Sequence, residues 1–125
     1  MLAAKAATND GPMCPLEVYV PITPGARDER GLLPGTDEEQ DVLFALQDQL
    51  DSYIRRRRIG VVGSVDFERR SAYIYIWCND PRAVLREITP ILARFPTVEL
   101  VRLSDADVKN LRETEPQFVE FRPPF

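Results

Sequence analysis

The aromatic residues of one short segment, "AYIYIWC" at residues 72–78, are the first candidates for a functional surface. Tyr73, Tyr75 and Trp77 alternate there with isoleucines. Alternate side chains of a strand point to opposite faces, so the three rings share one face. Tyr and Trp combine apolar area with one polar group, which makes them frequent anchors of interfaces. The segment therefore predicts a surface that binds a partner or a ligand.

An acidic segment is the second candidate. Residues 36–51 carry six carboxylates and no basic side chain, and periodic apolar residues predict that they form a helix. Glu38, Asp41 and Asp48 on its polar face are candidate contacts for a basic partner, since charge of one sign steers a partner of the other. The four arginines of "YIRRRRIG", residues 53–60, fall at the end of this helix, where they complement its dipole. We favour that interpretation over a docking patch.

Several kinds of chemistry lack their residues in this chain. It has no histidine, which excludes Ser-His-Asp and Cys-His catalysis and histidine-ligated metals. The net charge of −4 and the absence of a phosphate-binding glycine loop disfavour nucleic acid as a partner. The carboxylates of residues 105–115 lack the spacing of a calcium loop. We therefore predict no catalytic residue, no cofactor and no metal, and these absences favour a binding protein over an enzyme without deciding between them.

Length and composition predict one domain. We expect a flexible tail at residues 1–14 and a domain at residues 15–125, with a core at 15–103 and a C-terminal extension at 104–125. No apolar run approaches the ~20 residues that cross a bilayer, so no membrane association is expected. Two cysteines, Cys14 and Cys78, are too few for a disulfide framework. A cytoplasmic location follows as the expectation.

The order of predicted elements indicates the fold. Alternating apolar residues predict strands at 16–22, 59–67, 72–78 and 97–103, and capping residues at Thr36 and Asp80 begin two helices. This βαββαβ order predicts an α+β, ferredoxin-like sandwich: a four-stranded antiparallel sheet with both helices on one face. A short helix and a further strand or arm follow. The first and third strands would be neighbours, which brings Tyr19 beside the three rings on the helix-free face.

Four occupants of that aromatic face have to be weighed. The C-terminal segment could cover it with Phe118, Phe121 and Phe125, a second copy could cover it in a symmetric dimer, or a protein partner or ligand could bind it. Stacked RNA bases are disfavoured, because "RSAYIYIW" lacks the glycine of the RNA-recognition motif and places Ala72 and Ile74 where its stacking rings belong.

One stretch supports a resemblance. "AYIYIWCNDPRAVLREITPIL", within residues 59–100, resembles a family of small bacterial ferredoxin-like proteins of uncharacterised function, in which a Tyr-rich strand leads into a helix ending in "PIL". "FERRS" stands here in place of the glycine-rich hairpin of that family. More loosely, the size, acidity and layout resemble immunity proteins of bacterial toxin systems.

The resemblance implies a non-catalytic protein-binding domain that inhibits a toxin by docking on it, with a basic toxin domain as its partner. The alternative is a homodimeric small-molecule-binding protein or enzyme with its site at the open sheet face.

Overall fold

The computed structural model describes residues 13–104 and 118–125, which form five strands and two helices. In chain order these are β1 (Cys14–Pro21), α1 (Asp37–Arg57), β2 (Val61–Phe67), β3 (Ser71–Cys78), α2 (Pro81–Leu92), β4 (Leu100–Ser104) and β5 (Phe118–Phe121). The expected N-terminal tail, except for its last two residues, and the expected helix after β4 lie outside the described residues.

Both helices begin where the capping residues predicted. The Thr36 hydroxyl accepts a bond from the Glu39 amide at 3.1 Å, and the Glu39 carboxylate accepts one from the Thr36 amide at 2.8 Å. This reciprocal pair satisfies two amides that the helix itself cannot bond. The Asp80 carboxylate caps α2 by accepting a bond from the Ala83 amide at 3.2 Å, and Pro81 occupies its first turn. The run of arginines ends α1, with Arg58 as the C-cap in the left-handed region at φ 58°.

The sheet is antiparallel throughout and has the order β2-β3-β1-β4-β5. The first and third strands are neighbours, as predicted, with Tyr19 opposite Tyr73. The described sheet has five strands rather than the predicted four, and its order differs accordingly, because the C-terminal segment pairs with β4 as β5. The architecture is therefore α+β, with a five-stranded antiparallel sheet and two helices.

The core lies between one face of this sheet and the two helices. Leu16, Val18, Ile74 and Ile76 point from the central strands into it, and side chains from both helices belong to the same buried cluster. The helix residues of this cluster are Leu43, Leu46, Leu50 and Ile54 of α1 and Val84, Leu85, Ile88, Ile91 and Leu92 of α2. Since both helices contribute to one cluster, they pack on the same face, and no helix of residues 13–104 or 118–125 lies on the other face of the sheet.

An irregularity in β2 changes which of its residues reach the core. The sequence places Val61 and Val65 on one face, but the pairing register with β3 shifts between Val62 and Val65. Val62 and Val65 therefore pack against the core, whereas Val61 is 58% exposed. Bulges of this kind are frequent in edge strands, where they interrupt further pairing.

Two phenylalanines in the described end of the C-terminal segment, Phe121 and Phe125, lie on the helix side of the sheet and not on its aromatic face. Phe121 lies opposite Val101, whose side chain is in the helix-side core, and Phe121 and Phe125 pack against that core. The guanidinium of Arg82 in α2 lies 5.8 Å from the centre of the Phe121 ring. The alternative in which Phe121 and Phe125 cover the aromatic face is therefore wrong. The strand β5 extends the sheet, and both side chains pack on the helix side.

Candidate functional site

The rings of β1 and β3 form one continuous row on the helix-free face. The ring centres of Tyr19 and Tyr73 are 4.3 Å apart, those of Tyr73 and Tyr75 are 6.3 Å apart, and those of Tyr75 and Trp77 are 6.4 Å apart. The sequence prediction that these four side chains share a face is therefore confirmed. Separations of this size are typical of interacting aromatic pairs.

Exposure along the row is uneven, so the row is not a flat platform. Tyr73 is only 9% exposed, whereas Trp77 is 41% exposed at the other end. Val61, opposite Trp77, and Met13, which precedes β1, are also exposed. A β-carbon at position 63 would lie 3.5 Å from Nε1 of Trp77, so this ring lies over Gly63. The accessible apolar surface is therefore the corner around Val61 and Trp77.

The three tyrosine hydroxyls of the row are each paired with a carboxylate. The Tyr19 hydroxyl donates to Oε1 of Glu17 at 3.0 Å, whereas Tyr73 and Tyr75 interact electrostatically with Glu68 and Asp66. Burial, and secondarily the bond to the negatively charged Glu17, raise the pKa of Tyr19 to about 12. The pKa values of Tyr73 and Tyr75 are raised too, again by burial first. Neutral phenols are therefore stabilised throughout the row.

The carboxylates of this face differ in whether a cation accompanies them. Glu17 lies 3.2 Å from Nε of Arg102, whose guanidinium is 6.0 Å from the centre of the Tyr19 ring. Within the described part of the chain, Asp66 and Glu68 form no ion pair. The exposed hairpin arginines at 69 and 70 are near in sequence but form no ion pair with either carboxylate. Two negative charges thus stand uncompensated beside the tyrosines.

The acidic residues of α1 lie elsewhere. Glu38, Asp41 and Asp48 are exposed on that helix, and α1 packs on the face of the sheet opposite to the aromatic row. The structure therefore brings the four aromatic candidates together and the three acidic candidates together, but it does not unite the two groups. They are two separate candidate surfaces.

Glu38 also borders a groove that the sequence analysis did not detect. The groove has a volume of about 770 Å³ and lies between the end of β1, the first turns of α1 and the segment before β4. Its lining is mostly apolar, and Glu99 faces it from the segment before β4. Sequence reasoning missed it because the residues that form it come from three distant segments. The carboxylates beside the tyrosines were also missed, although the alternation of side chains along β1 places Glu17 on the same face as Tyr19.

The arginine run divides among different neighbours. Arg55 pairs with Asp51 of its own helix at 2.5 Å, whereas Arg57 reaches Glu87 of α2 at 2.9 Å. Arg56 lies 5.9 Å from the centre of the Tyr53 ring. These contacts point in different directions, which supports the interpretation of the run as the end of a helix rather than one docking patch.

Both cysteines lie in central strands of the sheet, Cys14 in β1 and Cys78 in β3. Cys14 and Cys78 are buried free thiols, and the Cys78 thiol donates weakly to the Cys14 carbonyl oxygen at 3.8 Å. Burial raises the pKa of Cys78 to about 12, so this thiol is a poor nucleophile. No group of three or more His, Cys, Asp and Glu residues is placed to hold a metal ion within residues 13–104 and 118–125. Over the same residues, neither helix combines the length and apolar character of a membrane span.

Comparison with known proteins adds no identity. No family model, no curated protein and no solved structure matches the chain. The resemblances drawn from "AYIYIWC" and the segment after it, and the cytoplasmic location, therefore stay predictions.

Proposed function

We propose that this protein is a non-catalytic binding domain whose open sheet face docks a basic protein. The observation that carries the proposal is a pair of carboxylates, Asp66 and Glu68, that lie beside Tyr73 and Tyr75 in the aromatic row and form no ion pair within the described residues. A guanidinium or ammonium group placed there would meet both negative charge and aromatic rings. We also interpret the helices and the first four strands as a ferredoxin-like core that β5 extends.

Two features support a protein rather than a small molecule as the occupant. The face follows three strands, with its rings in one row across β1 and β3, which suits a broad partner surface better than a compact ligand. Its exposed apolar side chains at Val61 and Trp77 lie opposite each other on neighbouring strands, and aromatic and apolar side chains of this kind are typical of the core of an interface. The acidic helix α1 adds long-range attraction for a positively charged partner.

The more specific form of the proposal is an immunity-type inhibitor. A toxin that acts on nucleic acid has a basic active site, and an acidic protein that covers it would neutralise the toxin. The chain's net charge of −4 and the acidic character of both candidate surfaces fit this role. The partner would then be a basic toxin domain.

Capture from native lysate followed by matched charge removal tests the proposal. The double variant Asp66→Asn, Glu68→Gln keeps acceptors for the tyrosine hydroxyls but removes both charges. Each exposed ion pair is worth about 0.2–1 kcal/mol, so the captured partner should bind the double variant about 10-fold more weakly at low salt. The matched control is Asp41→Asn, Asp48→Asn, which removes equal charge from α1 and should change affinity less.

Three results would decide against parts of the proposal. Absence of any stoichiometric partner would contradict a binding domain. Loss of affinity in the α1 variant alone would move the interface from the sheet to the helix. A partner that does not arrest growth when expressed alone would contradict the immunity role while leaving protein binding intact. Concentration-dependent dimers abolished by Trp77→Asp would instead favour the homodimeric alternative.

A further inference from the structure

We infer that the groove beside Glu38 is a second binding site, and that its occupant is a basic peptide segment of another protein. The segment would place an aliphatic or aromatic side chain in the groove and a Lys or Arg side chain against Glu38 and Glu99. The site lies on the helix side of the sheet, away from the aromatic row, and so does not depend on the binding face proposed above.

The floor of the groove is apolar and comes from rigid parts of the fold. Val20, Ile22 and Val98 are buried side chains of β1, its C-terminal continuation and the segment before β4, and Val42 of α1 is half-buried. A volume of about 770 Å³ is in the range of sites that accept a few side chains of a ligand. One large apolar side chain of a peptide, buried there, would contribute about 1.5–3 kcal/mol before the cost of ordering the peptide is subtracted.

The walls are held in place by Glu39. Its carboxylate accepts bonds from the Thr23 amide at 3.1 Å, the Thr23 hydroxyl at 2.9 Å and the Thr36 amide at 2.8 Å. These bonds join the segment after β1 to the first turn of α1. The pKa of Glu39 is lowered because the bonds from Thr36 and Thr23 outweigh its burial, so the carboxylate is ionised at neutral pH. Glu39 thus builds the groove and is not available to a ligand.

Glu38 and Glu99 provide the charge that selects the occupant. Both are exposed, and within the described residues neither side chain has an ion-pair or hydrogen-bond partner. No Lys or Arg lines the groove. The dipole of α1 disfavours a cation near its first turn, but the acidic residues of that turn offset the partial positive charge. A positively charged side chain therefore finds two free carboxylates at the rim.

The backbone of the groove points to the same occupant. Most of its amides are absent or already bonded, so the polar groups that it can still offer are acceptors. Pro21, Pro24 and Pro96 have no amide hydrogen, and the amides of Ile22, Thr23, Val98 and Glu99 are bonded to Arg70, Glu39, Phe95 and Tyr19. An anionic ligand would find few donors here and would face Glu38 and Glu99, whereas the ammonium and guanidinium groups of a basic peptide consist of donors.

Titration with capped pentapeptides, followed by isothermal calorimetry and amide chemical shifts, tests the inference. The probe is Gly-Arg-Leu-Arg-Gly, and its matched controls are Gly-Glu-Leu-Glu-Gly and Gly-Arg-Ser-Arg-Gly. We expect millimolar or tighter binding of the probe, with shifts centred on Val42 and Val98, and at least 5-fold weaker binding of both controls. The double variant Glu38→Gln, Glu99→Gln should bind the probe at least 5-fold more weakly. The variant Asp41→Asn, which lies outside the groove on the same helix, should bind it with unchanged affinity.

The outcomes separate this site from the sheet face. Loss of probe binding in Asp66→Asn, Glu68→Gln, with retention in the Glu38 and Glu99 variant, would overturn the groove and leave the sheet-face proposal standing. Absence of any binding at millimolar probe would overturn the groove as well. Equal binding of the leucine and serine peptides would show that the apolar floor is unused and would also contradict the inference.

Discussion

The tyrosines of this protein should resist ionisation far beyond the pH at which a free phenol titrates. The chain has four tyrosines, and each interacts with a carboxylate, through a hydrogen bond at Tyr19 and Tyr53 and electrostatically at Tyr73 and Tyr75. The pairs are Tyr19 with Glu17, Tyr53 with Glu87, Tyr73 with Glu68 and Tyr75 with Asp66. In each case the tyrosine pKa is raised: burial is the first cause for Tyr19, Tyr73 and Tyr75, the hydrogen bond to Glu87 is the first cause for Tyr53, and repulsion between a phenolate and the nearby carboxylate adds to both. An alkaline titration therefore tests the environment of these tyrosine side chains.

The size of the effect can be worked out for Tyr19. Its pKa rises from 10.0 to about 12, first through burial and then through Glu17, with Arg102 acting in the opposite direction. A shift of two units corresponds to an upper bound of about 2.7 kcal/mol, and solvent screening at this half-buried site reduces the expected contribution to about 1 kcal/mol. Since the folded pKa is the higher one, this stability is complete below pH 10 and is lost as the pH rises towards 12.

Ultraviolet absorbance of phenolate during an alkaline titration measures this directly. At pH 10 the native protein should show much less than half of the phenolate that the urea-unfolded chain shows. The urea concentration at the midpoint of unfolding should decrease as the pH is raised above 10. Glu17→Gln should lower the native titration midpoint of one tyrosine, and Tyr19→Phe should remove that tyrosine from the curve. If half of the native phenolate had formed by pH 10, the tyrosine–carboxylate pairs described above would not exist in solution.

Three further predictions concern the framework. Thr36→Ala removes the N-cap of α1 and should lower the free energy of unfolding by about 1 kcal/mol in urea denaturation, with Thr36→Ser as the control that keeps the bond. Arg58→Gly removes the backbone strain of a non-glycine residue in the left-handed region and should raise the free energy of unfolding by about 1 kcal/mol, whereas Arg58→Ala should not raise it. Cys14 and Cys78 should react with a thiol reagent only after unfolding, because both are buried; rapid labelling of the native protein would contradict their placement in the sheet.

Much of the fold could be predicted from local patterns. The capping residues Thr36 and Asp80 fixed both helix starts, and the strict alternation in β1 and β3 identified the faces of the two central strands. These signals are local, so a single sequence contains them in full. The C-terminal strand was foreseen only as a strand or arm, because pairing with β4 is decided by contacts between distant segments.

The candidate site was predictable in its aromatic part and less so in its charges. The four rings follow from strand periodicity, but their exposure does not, since Tyr73 is covered by neighbours that only the pairing register brings close. The exposure of Val61 depends on a bulge in β2 that has no signal in an alternating apolar run. The groove at Glu38 and Glu99 depends on how three segments meet, which no local pattern records.

The charges of the open face help to distinguish a basic partner from a second copy of the chain. In a symmetric dimer whose two-fold axis passes close to Asp66 and Glu68, these carboxylates of one copy would approach the same carboxylates of the other. The nearby tyrosine side chains are neutral, so they cancel none of the negative charge of Asp66 and Glu68. Burial would strengthen the repulsion, because the local dielectric falls as water is excluded. A partner that supplies guanidinium or ammonium groups converts the same repulsion into attraction. The face that would be costly to bury against itself is therefore suited to a protein of opposite charge.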